Sequence, residues 1–500
     1  MKYVSTRNNQ LQVESAQAIV SGLAPEGGLF LPMDVPAITL DDITRLSAQS
    51  YAQRAAWVLA QFLTDFSYEE LLDYTGRAYG FDKFPVRDTT PLVRIDDSCY
   101  VLELFHGPTC AFKDVALQIL PYLLTASLKK SGVDKRVIIL VATSGDTGKA
   151  ALEGFHDVAG TGICVFYPDG GTSSMQRRQM VTQEGDNVMV AAVRGNFDDA
   201  QNGVKAIFTD LAYQAELADK GYVLSSANSI NWGRLAPQIA YYVSAYCDMV
   251  RAGAVALGEE INICVPTGNF GNILAAWYAK QSGLPVKRLI CASNKNAVLT
   301  DFISSGVYDK NRPFYLTSSP SMDILISSNL ERLLYLLGGK DDAKLRQFMA
   351  QLKDQGKYKI DEKMLAALEA EFDCGCCNEW ETRHTIKMMF ENKGHCQGRG
   401  YVPDTHTAVG LKVYYDYRVR ACDITPTVVA ATASPFKFCG SVLPALGEET
   451  TTDDFAMLQR LSQLSGLPVP APLAELKDKP ERFPDVVEQG RMKDVVNRLL

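Results

Sequence analysis

The chain has 500 residues, too many for one hydrophobic core, so we expect two or three domains. A formal net charge of -8 and the lack of a Lys/Arg-rich run argue against a nucleic-acid surface, and no apolar stretch is long enough to span a membrane. Residues Met1–Asn8 contain no apolar leader segment, so we expect a cytoplasmic protein whose 12 cysteines stay reduced.

Residues 1–90 predict an N-terminal region with a Gly/Pro-rich loop and two amphipathic helices, near 48–63 and 67–78. From residue 93 onward, short apolar strands alternate with helical patterns, which predicts a mainly parallel α/β sheet. The predicted strands are Tyr100–Phe105, Val137–Ala142, Gly162–Tyr167, Val188–Val193, Ile261–Pro266, Leu289–Ala292 and Val428–Thr432. Charged amphipathic patterns predict a helical insertion at about 330–400 that lies outside the sheet, followed by a helix over 405–418.

Lys113 occupies an unusual position for a lysine. The strand at 100–105 breaks at Gly107-Pro108, and a helical pattern follows over 111–128, which places Lys113 near the first turn of a helix. A helix N-terminus favours anions, and the apolar neighbours of Lys113 desolvate its amine, which lowers the amine pKa and makes it a usable nucleophile. A surface lysine at a helix start is the alternative for this pattern alone.

The turn at 143–150 follows the strand Val137–Ala142 and is rich in Gly and hydroxyl residues. Gly145 and Gly148 let main-chain N–H groups converge on an anion, and Ser144 and Thr147 add hydroxyl donors. Because Thr143 stands where a P-loop needs glycine, a nucleotide phosphate is excluded, and a small carboxylate suits the turn better. A helix-capping turn is the alternative.

A second Gly-rich loop lies between the strand Ile261–Pro266 and the next helix. It contains Gly268, Asn269, Phe270, Gly271 and Asn272, so two glycines and two asparagines surround a helix N-terminus. This pattern predicts a phosphate cradle built from main-chain N–H groups, without a fixed cation.

Two weaker signals complete the set. The segment 225–234 is rich in side-chain donors and holds Asn231 and Arg234, the latter able to clamp a phosphate or carboxylate, although a capped helix start explains it equally well. Thr432 ends the last predicted strand and offers a hydroxyl to a ring nitrogen. A helix-start lysine, a phosphate cradle and a hydroxyl together suit pyridoxal phosphate, held by Lys113 as a Schiff base.

These segments resemble the threonine synthase family in its longer bacterial and fungal form, in the family's order and over nearly the whole chain. The matching segments are residues 3–7, 22–32, 106–114, 144–148, 228–231, 268–272, 381–382, 404–410 and 431–435. The resemblance implies a tryptophan-synthase-β-like, fold-type II α/β fold with two parallel or mixed-sheet domains. Its implied parts are an N-terminal region (1–90), a large cofactor domain (91–134 plus 226–500) and a small domain (135–225).

The resemblance also implies conversion of O-phospho-L-homoserine and water to L-threonine and phosphate, by γ-elimination and then β-addition of water. Lys113 would form the Schiff base, the cradle Gly268–Asn272 would bind the cofactor phosphate, and Thr432 would meet the pyridine nitrogen. The residues expected to bind substrate are Ser144, Gly145, Asp146, Thr147, Lys149, Asn231 and Arg234. Arg234 and Asn231, with Lys149 as a second cationic candidate, are assigned to the substrate phosphate as a hypothesis, and a monomer or homodimer is expected.

Two other functions are compatible with the same residues. One is a pyridoxal phosphate lyase or dehydratase of the same fold that gives a 2-oxo acid, and the other is a cofactor-binding regulatory protein without catalysis, which the presence of Lys113 disfavours. The cysteine cluster Cys374–Cys377, followed by His384, His395 and Cys396, lacks two CxxC knuckles, so no metal site is expected there.

Overall fold

The computed structural model describes residues 1–143, 145–392 and 400–500. Residues 1–90 form a small antiparallel sheet of order β2-β1-β3 with a group of helices. Their elements are β1 (Tyr3–Ser5), β2 (Asn8–Val13), α1 (Ser15–Ser21), β3 (Phe30–Pro32), α2 (Leu40–Ser47), α3 (Tyr51–Phe62) and α4 (Tyr68–Ala78). Helix α4 begins as predicted, because the Ser67 side chain accepts a hydrogen bond from the Glu70 N–H in a capping box.

The next segment begins the large sheet and then forms most of the small one. Its elements are β4 (Leu92–Arg94), β5 (Cys99–Glu103), α5 (Lys113–Leu117), α6 (Leu120–Lys130), β6 (Arg136–Ala142), α7 (Asp146–Phe155), β7 (Thr161–Pro168), α8 (Ser174–Val181), β8 (Val188–Val193), α9 (Phe197–Thr209), α10 (Leu211–Asp219) and β9 (Tyr222–Ser225).

The remaining residues complete the large sheet. Their elements are α11 (Trp232–Arg251), β10 (Ile261–Pro266), α12 (Gly271–Gln281), β11 (Val286–Ser293), α13 (Val298–Ser305), β12 (Val307–Asp309), α14 (Leu330–Leu337), α15 (Asp342–Asp354), β13 (Lys357–Lys359), α16 (Glu362–Glu371), β14 (Phe372–Cys376), α17 (Glu379–Glu391), α18 (Thr405–Arg420), β15 (Thr427–Ala431), α19 (Cys439–Ala445), α20 (Asp454–Ser465), α21 (Ala471–Ala474), β16 (Val486–Val487) and α22 (Met492–Asn497).

The large sheet has the order β14-β11-β10-β15-β5-β4 and is parallel except for β4, which runs antiparallel to β5. The small sheet has the order β16-β8-β7-β6-β9 and is parallel throughout. The predicted alternation of strands and helices around parallel sheets is therefore confirmed. Within the part of the chain that the structure describes, no helix is long and apolar enough to cross a membrane.

Two elements differ from the sequence predictions. The predicted single helix over 111–128 is wrong: α5 ends at Leu117, and α6 starts at Leu120 with Pro121 in its first turn. Proline has no N–H to bond the preceding turn, so the helical ladder cannot run through this point. The predicted insertion at 330–400 is helical only in part, because β14 pairs with β11 at the edge of the large sheet.

The small sheet also extends beyond residues 135–225. Strand β16 comes from the C-terminal end of the chain and pairs with β8, and α22 contributes Met492, Val495 and Val496 to the core beside that sheet. Strand β9, which no periodicity signal predicted, forms the other edge next to β6. The small sheet and the core beside it are therefore built from two distant parts of the chain.

Candidate active site

Three loops meet at one edge of the large sheet. Strands β10, β15 and β5 are parallel neighbours, so the segments that follow them lie side by side at the carboxyl edge. Lys113 begins α5 after β5, Thr432 directly follows β15, and the loop Gly268–Asn272 follows β10. A hydrogen bond of 2.8 Å from the Phe112 N–H to the Thr432 carbonyl joins two of these segments.

The amine of Lys113 is largely buried and lies close to two polar side chains. Its side chain is 11% exposed, and its Nζ lies 3.3 Å from the Ser321 hydroxyl and 3.6 Å from Asp146 Oδ2. Burial lowers the pKa of the Lys113 amine, and the nearby Asp146 carboxylate only partly offsets this effect. The predicted desolvated, nucleophilic lysine is consistent with this environment.

The turn before α7 brings the small sheet to the same place. Gly145 has a φ of 151°, which side-chain-bearing residues rarely adopt, and a Cβ there would lie 2.6 Å from the Gln176 side chain. The first N–H groups of α7, those of Asp146 and Thr147, have no carbonyl partner inside the helix. Ser144 lies outside the described residues.

The side chain of Asp146 is surrounded by donors. Its carboxylate accepts hydrogen bonds from Gln176 Nε2 (2.9 Å) and the Ser321 hydroxyl (3.4 Å), and it pairs with the buried Lys437 ammonium (2.7 Å). Burial opposes ionisation, but the charges of Lys437 and Lys113 outweigh it and hold the Asp146 pKa well below its usual range. The turn can therefore offer an anion its N–H groups, whereas the Asp146 side chain is an acceptor already in use.

Lys149, one turn further along α7, is also matched by an acid. Its ammonium pairs with Glu153 at 2.9 Å and donates to the Gln183 side-chain oxygen. Burial raises the pKa of Glu153, but the Lys149 charge reverses the effect and lowers that pKa to about 2.

The loop Gly268–Asn272 has the geometry of an anion cradle. A Cβ on Gly268 would lie 2.6 Å from the Ser321 carbonyl oxygen, so only glycine fits there without a backbone shift. Phe270 adopts a left-handed φ of 63°, and α12 begins immediately after it at Gly271. Such a turn into a helix directs consecutive N–H groups toward one point.

Asn272 provides an independent test of whether an anionic cofactor fits. Its Oδ1 accepts hydrogen bonds from the hydroxyls of Tyr241 (2.6 Å) and Tyr242 (2.5 Å). Its Nδ2 is buried and has no hydrogen-bond partner among the described residues. A buried donor without a partner is costly, so the site fits a ligand with an acceptor such as a phosphate oxygen.

Arg234 and Asn231 lie at the start of α11. Asn231 caps the helix by accepting from the Gly233 N–H, and its amide donates to the Ile19 carbonyl. Arg234 is buried, and burial lowers its pKa to about 10. Its Nη1 donates a hydrogen bond to the Ala227 carbonyl. Its Nε is buried and has no hydrogen-bond partner among the described residues, and Arg234 forms no ion pair with any of them.

Three residues at the site were missed by the sequence analysis. Ser321 comes from a 3-10 turn in the loop before α14, and its N–H donates to Nε2 of His406, whose Nδ1 lies 2.6 Å from Asp404. Lys437 lies in the 3-10 turn that follows β15. Two of these residues could have been noticed in the sequence. Lys437 is a lysine between two phenylalanines after a predicted strand, and His406 is a histidine among small residues at a predicted helix start.

The cysteine cluster lies away from these loops. Cys374 and Cys376 are on the edge strand β14, and Cys377 contacts the Thr382 hydroxyl. No group of three or more His, Cys, Asp or Glu residues that could hold a metal ion occurs in residues 1–143, 145–392 and 400–500. His395 and Cys396 lie outside the described residues.

Family models match most of the chain. The model for the threonine synthase N terminus matches residues 2–79, that for pyridoxal-phosphate-dependent enzymes matches residues 84–338, and that for the threonine synthase C-terminal region matches residues 407–496. Together they cover most of the N-terminal region, Lys113, the turn at 143–150, the loop Gly268–Asn272 and most of the C-terminal segment.

Individual proteins agree with these models. Threonine synthase of Pseudomonas aeruginosa is 37% identical over 445 residues, which are 88% of this chain and 89% of that protein. Human threonine synthase-like 1 is 37% identical over 464 residues, which are 91% of this chain but 61% of that protein. The chain thus spans less than two thirds of the length of the threonine synthase-like 1 relatives it matches.

Solved structures share the fold over the whole chain. The crystal structure of PLP-bound threonine synthase from Brucella melitensis is 39% identical, with a TM-score of 0.87 over 100% of this chain and 98% of that chain. Threonine synthase from yeast is 32% identical, with a TM-score of 0.88 and the same coverage. The predicted fold-type II fold is therefore confirmed, and the chain belongs to the threonine synthase family of pyridoxal-phosphate-dependent enzymes.

Proposed function

We propose that this chain converts O-phospho-L-homoserine and water to L-threonine and phosphate, with pyridoxal phosphate as its cofactor. The observation that carries the proposal is the buried Lys113 amine, with its lowered pKa, at the sheet edge that also holds the loop Gly268–Asn272, and near Arg234, whose Nε has no hydrogen-bond partner among the described residues. The similarity to threonine synthases over most of the chain supports it.

The residues fit the cofactor. The N–H groups of the loop Gly268–Asn272 would hold its phosphate, together with Asn272 Nδ2, which has no hydrogen-bond partner among the described residues. Lys113 would hold its aldehyde carbon, and the Thr432 hydroxyl would face its ring nitrogen. When bound, pyridoxal phosphate supplies an electron sink for negative charge that develops on the substrate carbons. A hydroxyl partner leaves the ring nitrogen without a full positive charge.

The substrate has two anionic ends that the site would bind separately. The first N–H groups of α7, at Asp146 and Thr147, together with Gly145 and Ser144, would receive its carboxylate. Arg234 would receive its phosphate, because its buried Nε has no partner among the described residues and a guanidinium binds phosphate in a fixed planar geometry. Asn231 and Lys149 remain candidates for the same phosphate.

Proton movement would fall to Lys113. Once the substrate amine has displaced it, its uncharged amine would take the proton from Cα and pass it on before it takes a second proton from Cβ, and phosphate would leave from Cγ with the C–O bonding electrons and end with the first of these protons. The amine would then give the Cβ proton to Cγ, water would add its OH at Cβ, and the remaining proton of that water would pass through the amine to Cα. A lowered pKa suits this role, because a base must be unprotonated at the working pH.

An isotope experiment tests this function. Purified chain is incubated with pyridoxal phosphate and phosphohomoserine in ¹⁸O-water, and threonine, 2-oxobutyrate and phosphate are measured by mass spectrometry. We expect threonine that carries one ¹⁸O and phosphate that carries none, because elimination breaks the carbon–oxygen bond. Formation of 2-oxobutyrate instead of threonine would indicate a lyase, and ¹⁸O in the phosphate would indicate a phosphatase.

A cytoplasmic location and a monomeric or homodimeric state remain predictions.

A further inference from the structure

Lys437 is a buried lysine that the reaction scheme does not use. None of its side chain is exposed, and its ammonium contacts Asp146 Oδ1 at 2.7 Å and the Thr109 carbonyl at 2.9 Å. Burying an ammonium costs several kcal/mol unless its partners compensate. A charge at this depth, next to the proposed nucleophile, therefore calls for a function.

The position of Asp146 between two lysines suggests that function. Its carboxylate is 2.7 Å from the Lys437 ammonium but 3.6 Å from the Lys113 amine, and it also accepts a hydrogen bond from the Gln176 side chain. Lys437 is thus the main counter-ion of Asp146, and Lys113 stays beyond hydrogen-bonding distance of it.

We propose that Lys437 is a positioning residue that keeps the Lys113 amine uncharged, because it takes up the charge of Asp146 and adds a second positive charge beside the amine. The proposal rests on the proposed function, in which Lys113 is the nucleophile and base.

The surroundings of both lysines support this charge balance. The groups facing Lys113 from other elements are Asp146 of α7, Arg234 of α11, Lys437 of the turn after β15, and His406 of α18 through Ser321. Lys437 also lies near Cys110, whose thiol pKa burial raises to about 12, and near Asp114, whose carboxylate is held by Thr109.

One carboxylate, Asp146, and two cations, Lys437 and Arg234, therefore act on the Lys113 amine. A proton on Lys113 would add a third positive charge to this desolvated group, and this is unfavourable. If Lys437 lost its charge, Asp146 would have Lys113 as its nearest remaining cationic partner, and protonation of Lys113 would become easier.

The test measures the protonation of Lys113 directly. The full chain is freed of cofactor, and the rate at which it captures added pyridoxal phosphate is followed by absorbance as a function of pH. Capture requires the uncharged amine, so the midpoint of the rate profile reports its pKa. Borohydride reduction and peptide mapping then confirm that the captured cofactor is on Lys113.

In Lys437→Gln, which keeps hydrogen-bonding capacity but loses the charge, we expect the midpoint to rise by about one pH unit or more. Lys437→Met should behave in the same way and serves as a second uncharged variant, whereas Lys437→Arg keeps the charge and should keep the wild-type midpoint. Asp146→Asn should move the midpoint down, because it removes the carboxylate whose charge favours the protonated form of Lys113.

An unchanged midpoint in Lys437→Gln or Lys437→Met that still captures cofactor would refute the positioning role of Lys437. A lowered melting temperature in these variants without a change of midpoint would indicate that Lys437 only stabilises the fold, and this would also refute the proposal. If the wild-type chain itself captures no cofactor at Lys113, the proposed function fails instead, so the two failures are distinguishable.

Discussion

Replacement of Arg234 tests whether the substrate phosphate and the cofactor phosphate bind to different donors, Arg234 for the first and the loop Gly268–Asn272 for the second. The Arg234 guanidinium is buried, spends one nitrogen on the Ala227 carbonyl and leaves Nε without a partner among the described residues. A hydrogen bond to a charged group contributes about 1.5–3 kcal/mol, so loss of the guanidinium in Arg234→Met removes roughly 3 kcal/mol of substrate binding. That energy corresponds to about a 150-fold weaker affinity for phosphohomoserine.

The assay compares two binding constants in the same variant. The substrate constant is taken from initial rates of threonine formation at saturating cofactor, and the cofactor constant from fluorescence titration of cofactor-free chain with pyridoxal phosphate. Arg234→Met should weaken the first strongly and leave the second nearly unchanged, and Arg234→Lys, which keeps the charge but loses the planar fork, should lie between.

Arg54 provides a matched control. It is also buried, on α3, and it pairs with Asp248 of α11, the helix that carries Arg234. Arg54→Lys should change neither constant. Equal losses of substrate and cofactor affinity in Arg234→Met would show that Arg234 serves the cofactor phosphate, and the assignment to substrate would be refuted.

Three further predictions concern backbone packing, a buried carboxyl group and the orientation of the Asn272 amide. Gly154→Ala places a Cβ against a backbone carbonyl of α5 and should lower the free energy of unfolding by about 1–3 kcal/mol. Gly76→Ala, in helix α4 with open space around it, should raise the free energy of unfolding by up to about 1 kcal/mol. A calorimetric change of the same sign in both variants would contradict this packing. Burial raises the pKa of Asp114 to about 6, above an unfolded value of about 3.9, so the folded chain binds the extra proton and stability falls as pH rises from about 4 to about 6. Relative to Asp114→Asn, wild-type stability should drop by about 3 kcal/mol across that window, and parallel pH curves would refute this. Tyr242→Phe removes one of the two hydroxyls that hold the Asn272 amide and should weaken pyridoxal phosphate binding by about 1 kcal/mol while turnover at saturating cofactor persists. An unchanged cofactor constant would show that the Tyr242 hydroxyl does not orient the amide.

The sequence predicted the parts of the site that are local. Lys113 and the loop Gly268–Asn272 each combine a strand end, glycines and a helix start within a few residues, so their chemistry is visible in one stretch of chain. The parallel order of β10, β15 and β5 then brings them together.

Partners that come from distant segments could not be predicted in this way. Ser321 and Lys437 reach Lys113 and Asp146 only through the fold, and no spacing in the sequence connects them. Asp146 illustrates the consequence: the turn was correctly located at the end of β6, but the engagement of its carboxylate by Lys437 is a tertiary contact. Strand β14 was missed for a related reason, since its Gly- and Cys-rich sequence becomes a strand by pairing with β11.

The most direct test of the central claim locates the cofactor on the chain. Holoenzyme is reduced with borohydride and digested, and the peptides are mapped by mass spectrometry, while Lys113→Ala is assayed for threonine formation. We expect the pyridoxyl group on Lys113 in the wild type, and neither label nor threonine from Lys113→Ala. A label on another lysine such as Lys437, or turnover by Lys113→Ala at the wild-type rate, would contradict the assignment of Lys113 as the cofactor-binding nucleophile.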